Sequence, residues 1–316
     1  RSFSRSRVML SPEEVIHRLR EKGSLWEVAP GVSGLRGPVV SLLREIEGAL
    51  ADLARAETSN EWLAPPGVSF ATLERAQYFA SFPQWLTAAS HLSGNEAALQ
   101  HIADSTSPGA AARSSLEPAD VVLPPAVCYN TYAAHADSVI AAPVVMTAQG
   151  TCWRYEGERL AALERGWAFT MREIVCLGAQ HDVREFLDRS VERVSALERV
   201  LGIDCEMVAA SDPFFAPNAR GRAALQRIKG LKHELVFRFP DGRPLAIASF
   251  NDHELFFGEA FAISLPDGSP AWSGCVAFGL ERWLMAVLVT HGVEPAGWPV
   301  TLSLNAELAR PRGTDE

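Results

Sequence analysis

Hydrophobic positions recur at helical spacing in several parts of the chain. In VVSLLREIEGALADLARA (39–56), for example, apolar side chains stand three and four residues apart, which predicts an amphipathic helix. Gly202 follows a long segment of the same kind and suits a helix C-terminus. The segments predicted to be helical are 12–22, 39–56, 183–201, 219–229 and 280–292.

The second half of the chain shows a different pattern, with short apolar runs separated by turn residues such as Asp241-Gly242. Runs of this length, rich in β-branched and aromatic residues, are typical of strands. The predicted strands are 127–132, 151–156, 168–177, 233–239, 243–250, 256–265 and 271–279. Hairpin connections between them predict an antiparallel sheet flanked by helices, which is an α+β fold.

We expect a single domain over residues 1–316, and the pattern divides it into parts. The N-terminal part, 1–115, is expected to be mostly helical. The antiparallel core is expected at 116–178 and 233–300, with a helical insertion at 180–232 between them.

Composition and charge narrow the class of protein. The formal net charge of −9 disfavours nucleic-acid binding, because that binding depends on Lys and Arg neutralising phosphates. We expect no membrane span, since no long apolar run is present, and no signal peptide, since RSFSRSRVML is not followed by an apolar region. The 5 cysteines are scattered and form no CxxC pair, so we expect no disulfide framework and a cytoplasmic location.

Two arginines stand where predicted strands end. Arg154 lies two residues before Glu156 in WRYE, so both should share one face of a strand. Arg282 lies in FGLERW, where the last predicted strand meets the last helix. Guanidinium groups bind phosphate oxygens in bidentate fashion, so two arginines facing one cavity suit a polyphosphate. Structural salt bridges are the alternative, and the arginines alone favour it.

The combination of motifs resembles the catalytic core of class II aminoacyl-tRNA synthetases. WRYEG and AFTMREIVCLG form a long hairpin, and FGLERWLMA follows late in the chain. The resemblance implies that Arg154 holds the α-phosphate of ATP, that Arg282 holds the γ-phosphate, and that Mg²⁺ accompanies the nucleotide. Either Trp167 or Phe169 would pack on adenine. The other ATP-site candidates that it implies are Glu156, Lys232, Ser249, Phe250 and Asn251.

Three further residues extend the resemblance to the atypical, zinc-dependent seryl-tRNA synthetases of archaea. They are Cys128 on the predicted strand before the hairpin, Glu173 on the return strand, and Cys275 on the last strand. In that family, two cysteines and a glutamate bind a zinc ion that holds the amino group of the substrate. The resemblance implies one zinc per subunit, with three ligands that leave a fourth position open. Core packing is the alternative for each cysteine alone.

Two other polar residues near these motifs have ordinary alternatives. A surface lysine is the simpler interpretation of Lys232, and His253 is interpreted as a polar turn residue rather than a ligand. Bulky side chains at Trp272, Phe250 or Met171 are candidates for limiting the size of the substrate.

The chain shows no long charged coiled-coil arm and no basic patch of the kind that tRNA binding needs. In this it resembles truncated zinc-bearing relatives of those synthetases, the amino acid:[carrier protein] ligases. That family activates a small amino acid with ATP and passes it to the phosphopantetheine thiol of an acyl-carrier-like protein. The resemblance implies glycine, or alanine, as substrate, a homodimer, and neither tRNA nor membrane as partner.

The insertion at 180–232 is the candidate surface for docking the acidic carrier, with an ordinary solvated helix face as the alternative. The basic residues of this segment that are expected to help docking are Arg193, Arg199, Arg220, Arg222, Arg227, Lys229 and Lys232. Other functions stay open at this point: a seryl-type tRNA synthetase, a tRNA-modifying paralog, or a non-catalytic paralog that binds an amino acid or nucleotide.

Overall fold

A computed structural model describes residues 9–214 and 226–299 of the chain. Most of the helical piece predicted at 219–229 lies outside the described residues. The strands are β1 (Leu25–Ala29), β2 (Val32–Leu35), β3 (Glu61–Leu63), β4 (Ala88–Leu92), β5 (Leu116–Val122), β6 (Val144–Trp153), β7 (Ala168–Gly178), β8 (Cys205–Ala209), β9 (Lys232–Arg238), β10 (Pro244–Glu254) and β11 (Trp272–Gly279).

Among the helices of the described residues, the two longest are α2 (Pro38–Arg55) in the first half of the chain and α8 (Gln180–Leu201) in the second. The α-helices are α1 (Pro12–Glu21), α2 (Pro38–Arg55), α3 (Phe70–Arg75), α4 (Tyr78–Ser81), α5 (Glu96–Asp104), α6 (Pro108–Ser114), α7 (Cys128–Ala134), α8 (Gln180–Leu201), α9 (Phe256–Phe261) and α10 (Leu280–His291). Within the described part of the chain, none of them is both long and apolar enough to cross a membrane.

One seven-stranded sheet organises the molecule, with the strand order β3-β6-β7-β11-β10-β9-β8. All neighbouring strands in it are antiparallel except β3, a short edge strand that runs parallel to β6. Two small antiparallel pairs, β1–β2 and β4–β5, lie outside it. The predicted α+β fold is confirmed. Strand β8 at the far edge belongs to the segment 180–232, which therefore contributes to the sheet as well as a helix.

The two faces of the sheet pack against different helices because side chains alternate along each strand. Val276 and Phe278 of β11 join a core with Phe186 of α8 and Trp283 of α10, all of them fully buried. Cys275, one position before Val276, belongs to a second core with residues of α7 and α9. This predicted metal ligand therefore lies on the second face of the sheet.

Two predicted strands are helices in the structure. Residues 128–134 form α7, and residues 256–261 form α9. Their aromatic content suggested strands, but the aromatic positions also have helical spacing. Tyr129 and Tyr132 are buried on α7, and Tyr132 stacks on Phe257 with ring centroids 4.0 Å apart, next to Phe261. Packing between two short helices therefore outweighs local strand propensity.

Candidate active site

The three metal-ligand candidates meet in space. A sulfur from Cys128, a sulfur from Cys275 and a carboxylate oxygen of Glu173 all lie within 4.8 Å of one another, and all three residues are buried. Glu173 pairs with Ala277 across β7 and β11, so Glu173 and Cys275 occupy adjacent rungs of the same sheet face. Cys128 approaches from the N-terminus of α7, and the prediction that it lies on a strand is wrong.

Hydrogen bonds orient the Glu173 carboxylate. It accepts from the backbone N–H groups of Val127 at 3.2 Å and Cys128 at 3.0 Å, at the start of α7. Burial and the nearby negative charge of Cys275 raise the pKa of Glu173 to about 7, despite these hydrogen bonds. The pKa of Cys275 lies well below its ordinary value, chiefly because Cys128 donates a hydrogen bond to its sulfur, while the pKa of Cys128 is raised. Of the two thiols, Cys275 is therefore the one whose surroundings favour the thiolate form.

This donor set fits zinc. Two sulfurs and a carboxylate oxygen are established zinc donors, and ligands bound at about 2.0–2.3 Å in a tetrahedron lie less than about 4 Å apart. The spacing of Cys128, Glu173 and Cys275 therefore needs only a small contraction to surround an ion. A set of three protein ligands leaves one tetrahedral position for an exogenous group, which is the arrangement of catalytic rather than structural zinc sites.

Strand β10 supplies polar groups beside Cys275. Asn251 pairs with Cys275 in the sheet, and its Nδ2 lies 3.4 Å from the Cys275 sulfur and 3.2 Å from Ser249 Oγ. The structure therefore brings the predicted residues Ser249 and Asn251 to the site. His253, on the same strand, has Nε2 3.8 Å from the Cys275 sulfur. Its interpretation as a turn residue is wrong.

The structure does not bring Phe250 to this site. It lies between Ser249 and Asn251 in β10, so its side chain points to the opposite face of the sheet. There it is 3% exposed within the core shared with α8. Trp272 packs on the same side, under the Arg184 guanidinium at 5.3 Å. Of the three bulky candidates, Met171 alone is on the site face, with Ala277.

Arg154 lies at the other end of the same face, just past the end of β6. Its Nε donates to the Pro125 carbonyl at 2.8 Å, and its guanidinium carbon lies 5.3 Å from the Trp85 ring and 5.5 Å from the Phe169 ring. Phe169 is therefore in the predicted site. Trp167 lies just before β7 begins, and its indole N–H donates to Thr87 Oγ1 at 2.9 Å.

Glu156 does not share a strand face with Arg154, because β6 ends at Trp153. Its carboxylate is buried and forms ion pairs with Arg165 and Arg159. The role of this glutamate in the structure is thus to tie together the two ends of the loop between β6 and β7.

Arg282 is held by two backbone carbonyls. Its Nε donates to the oxygen of Glu164 at 2.7 Å and its Nη1 to that of Ala246 at 2.9 Å. Burial and the positive charges of Arg165 and Arg154 lower its pKa to about 10. Among the described residues, neither Arg282 nor Arg154 forms an ion pair with a carboxylate, so the salt-bridge alternative finds no support there. Clustered guanidinium groups without carboxylate partners favour a bound anion.

Lys232 at the start of β9 is 9% exposed, so the surface-lysine interpretation is wrong. Its ammonium forms ion pairs with Asp212 and, at 3.3 Å, with Glu234. Burial works against its charge, but these carboxylates outweigh burial and raise its pKa. The lysine is part of an ion-pair network in this structure, and a nucleotide phosphate would have to compete with Asp212 for it.

Solved structures with the same fold define the class of protein. Methanopyrus kandleri seryl-tRNA synthetase, in a crystal structure with an A. aeolicus tRNA, superimposes with a TM-score of 0.81 at 19% identity, over 97% of this chain and 62% of that chain. The cytoplasmic serine–tRNA ligase of Naegleria fowleri, solved with AMP, gives 0.71 at 13% identity, over 97% and 61%. The fold is that of the class II aminoacyl-tRNA synthetase core.

Sequence relatives identify the family within this class. Amino acid–[acyl-carrier-protein] ligase 1 of Bradyrhizobium diazoefficiens is 37% identical over 238 residues, which cover 74% of this chain and 72% of the relative. Ligase 2 of the same organism is 35% identical over 277 residues, covering 87% and 82%. The chain belongs to the amino acid–[acyl-carrier-protein] ligase family and is a ligase.

A more distant sequence relative is named as a tRNA ligase. The type-2 serine–tRNA ligase of Methanopyrus kandleri is 26% identical over 193 residues, which cover 56% of this chain and 36% of the relative. No family model matches the chain.

Proposed function

We propose that the chain activates a small amino acid, glycine or alanine, with ATP and transfers it to the phosphopantetheine thiol of an acyl-carrier-like protein. The two Bradyrhizobium diazoefficiens relatives, named as amino acid–[acyl-carrier-protein] ligases, support this reaction. One observation carries the proposal. Cys128, Glu173 and Cys275 cluster at one end of a sheet face, and Arg154 contacts Met171 at its other end, where the Arg282 side chain lies beside Gly279, the partner of Met171 in the sheet.

At the first end, Cys128, Glu173 and Cys275 would hold one zinc ion per subunit. When bound, zinc supplies a Lewis acid that coordinates the substrate amine in its unprotonated form. The chain orients these ligands, because the N–H groups at the start of α7 fix the Glu173 carboxylate and Asn251 contacts Cys275. The carboxylate of an amino acid held at this end would have to reach Arg154 at the other end of the sheet face.

At the second end, Arg154 and Arg282 would bind ATP with Mg²⁺. Arg154 neutralises the α-phosphate, and Arg282 orients the leaving pyrophosphate. A carboxylate oxygen of the amino acid attacks the α-phosphorus in line, and the bond to the bridging oxygen of the β-phosphate breaks. No general base is needed, because the carboxylate is already ionised, so positioning and charge stabilisation carry the step. Phe169, beside Arg154, is the better placed aromatic residue for adenine.

In the second half-reaction, the carrier thiol loses its proton to solvent, and the resulting thiolate attacks the carbonyl carbon of the aminoacyl-adenylate. A carbon–sulfur bond forms, the bond to the phosphate oxygen breaks, and AMP leaves. The AMP phosphate is the former α-phosphate of ATP and keeps its contact with Arg154, so this guanidinium group stabilises the leaving group.

A small substrate fits the surroundings of the metal cluster. Tyr129, Tyr132 and Phe257 are all 9% exposed or less, and they wall in the second core beside Cys128 and Cys275. Stacking of Tyr132 on Phe257 at 4.0 Å makes this wall stiff. We propose that this aromatic wall, together with Met171, excludes large side chains.

Segment 180–232 is our proposed docking surface for the carrier, inside a single catalytic domain. Two of its basic residues are already engaged, since Arg189 and Arg193 on α8 both form ion pairs with Glu57. Arg220 and Arg222 lie outside the described residues. We further propose that the chain works as a homodimer and does not use tRNA.

ATP–pyrophosphate exchange across the amino acids tests the activation step. We expect exchange with glycine or alanine, strong loss in Arg282→Gln, and transfer to a phosphopantetheinylated carrier but not to tRNA. Metal analysis should find about one zinc per chain, lost in Cys275→Ala and retained in the matched control Cys205→Ala, whose cysteine is remote from the cluster. Absence of exchange with any amino acid would refute the proposed reaction.

A further inference from the structure

The Cys275 sulfur is the end of a chain of polar contacts that starts on α7. Tyr132 Oη lies 3.2 Å from His253 Nδ1, and His253 Nε2 lies 3.8 Å from the Cys275 sulfur. Tyr132 is 0% exposed, and the His253 ring is held edge-on to Phe257 with centroids 4.8 Å apart. The imidazole is therefore fixed by a hydroxyl on one side and by an aromatic ring on another.

The chemistry of the ligand determines the direction of these hydrogen bonds. A metal-bound cysteine is a thiolate, which accepts hydrogen bonds and has no proton to donate. His253 Nε2 must then carry a proton and donate it toward sulfur, and in the neutral imidazole this leaves Nδ1 as an acceptor. Tyr132 has one hydroxyl proton, which it can donate to Nδ1 of His253 at 3.2 Å.

We propose that Tyr132 and His253 form an outer-shell relay that positions the Cys275 sulfur as a metal ligand; this inference rests on the metal site of the proposed function. In the relay, Tyr132 sets the tautomer of His253, and His253 orients the sulfur. The relay would orient a thiolate ligand, as carboxylates and backbone carbonyls orient metal-bound histidines through hydrogen bonds. Asn251, at 3.4 Å from the same sulfur, adds a second donor.

The relay acts on one of the two sulfurs. Cys275 lies on β11, and apart from its fellow ligand Cys128 its sulfur has two neighbouring donors, Asn251 and His253, both on the adjacent strand β10. Cys128 instead sits at the N-terminus of α7, where its backbone N–H is committed to Glu173. The site therefore has a rigid sulfur built into the sheet, and removal of its donors should loosen the geometry of that ligand in particular.

The test compares variants with wild type on two readouts. One is zinc affinity, measured by competition with a chromophoric chelator, and the other is the sulfur-to-metal charge-transfer band of the cobalt-substituted protein. His253→Leu removes the donor, and we expect zinc affinity to fall about 10–100-fold and the band to shift. His253→Gln places an amide donor near the position of Nε2, and we expect it to stay within about threefold of wild type. Tyr132→Phe keeps the ring stack and should shift the band in the same direction as His253→Leu.

His233→Leu is the matched control, because this histidine pairs with Phe250 and so lies on the opposite sheet face. If His253→Leu and Tyr132→Phe both match the control in zinc affinity and in the cobalt band, the relay is refuted while the metal site stands. If wild type and control both bind no zinc, the metal site fails and the relay with it. Should His253→Leu not fold, Tyr132→Phe and His253→Gln decide on the same two readouts.

Discussion

Replacing Gly31 with alanine tests how the turn between β1 and β2 holds the loop that leads into β7. Gly31 has φ of +72°, and its carbonyl accepts from the N–H groups of Trp167 at 2.7 Å and Ala168 at 3.1 Å. A Cβ added at Gly31 would lie 2.7 Å from the Trp167 nitrogen and 3.0 Å from Leu160 Cδ2. The backbone nitrogen cannot move aside without breaking these two hydrogen bonds.

Two costs add in this variant. An alanine at positive φ loses roughly 1–2 kcal/mol through strain alone. Displacement of Trp167 and Ala168 then removes up to two backbone hydrogen bonds, each worth about 0.5–1.5 kcal/mol net. Gly268→Ala is the control, because Gly268 has φ of +83° and no atom within 4 Å of an added Cβ. We expect Gly31→Ala to exceed it by about 1–3 kcal/mol.

Urea denaturation of both variants measures this difference in the free energy of unfolding. Native-state hydrogen exchange adds a local readout, since the amides of Trp167 and Ala168 should lose protection in Gly31→Ala and keep it in Gly268→Ala. The N–H of Arg154, a proposed ATP ligand, donates to the Trp167 carbonyl at 2.9 Å, so the KM for ATP in pyrophosphate exchange should also rise. Equal destabilisation by the two variants, with unchanged protection of both amides, would show that the turn does not hold the loop.

Two further predictions concern buried charge. Arg172 is 3% exposed and donates to Glu47 at 2.6 and 2.9 Å, while the Glu47 side chain is itself 25% exposed. Arg172→Met should therefore cost about 1.5–3 kcal/mol in urea denaturation, against less than about 1 kcal/mol for Arg238→Met in an exposed pair on β9. Burial opposes ionisation of Asp212, but Lys232 outweighs it and holds the pKa of Asp212 below its ordinary value. Its stabilisation is therefore complete above the unfolded pKa of about 3.9 and is lost as pH falls through the folded pKa. Asp212→Asn should be less stable than wild type at neutral pH, and a difference that persists in strong acid would contradict this.

The part of the candidate site that lies on regular strands could be predicted from the sequence. Glu173 and Cys275 lie in regular stretches of β7 and β11, where alternation decides which face a side chain takes. The two side chains converge only because β7 and β11 are neighbours in the sheet. Glu173 and Cys275 are 102 residues apart in the chain, so this pairing could be expected only from the family resemblance.

The errors occurred where tertiary packing overrides local sequence. Cys128 begins a helix because the next residues bury two tyrosines at helical spacing, and no local signal distinguishes this from a strand. Phe250 was assigned to the nucleotide although strict alternation with Ser249 and Asn251 already places it on the other face. The contact between His253 and Cys275 depends on the pairing of β10 with β11, which residue spacing does not reveal.

Core packing on one face of the sheet fixes the strand register, and the register decides which side chains form the candidate site on the other face. Along β11, Val276 and Phe278 are buried against the helices, so Cys275 and Ala277 must face the site. A slip of one residue in the pairing of β11 would exchange these two pairs of residues between the faces and bury the Cys275 sulfur under α8. The large apolar side chains that hold the register therefore also specify the metal ligands, although none of them touches the metal site. Mutations that loosen this helix-side core should consequently reduce zinc affinity before they unfold the chain.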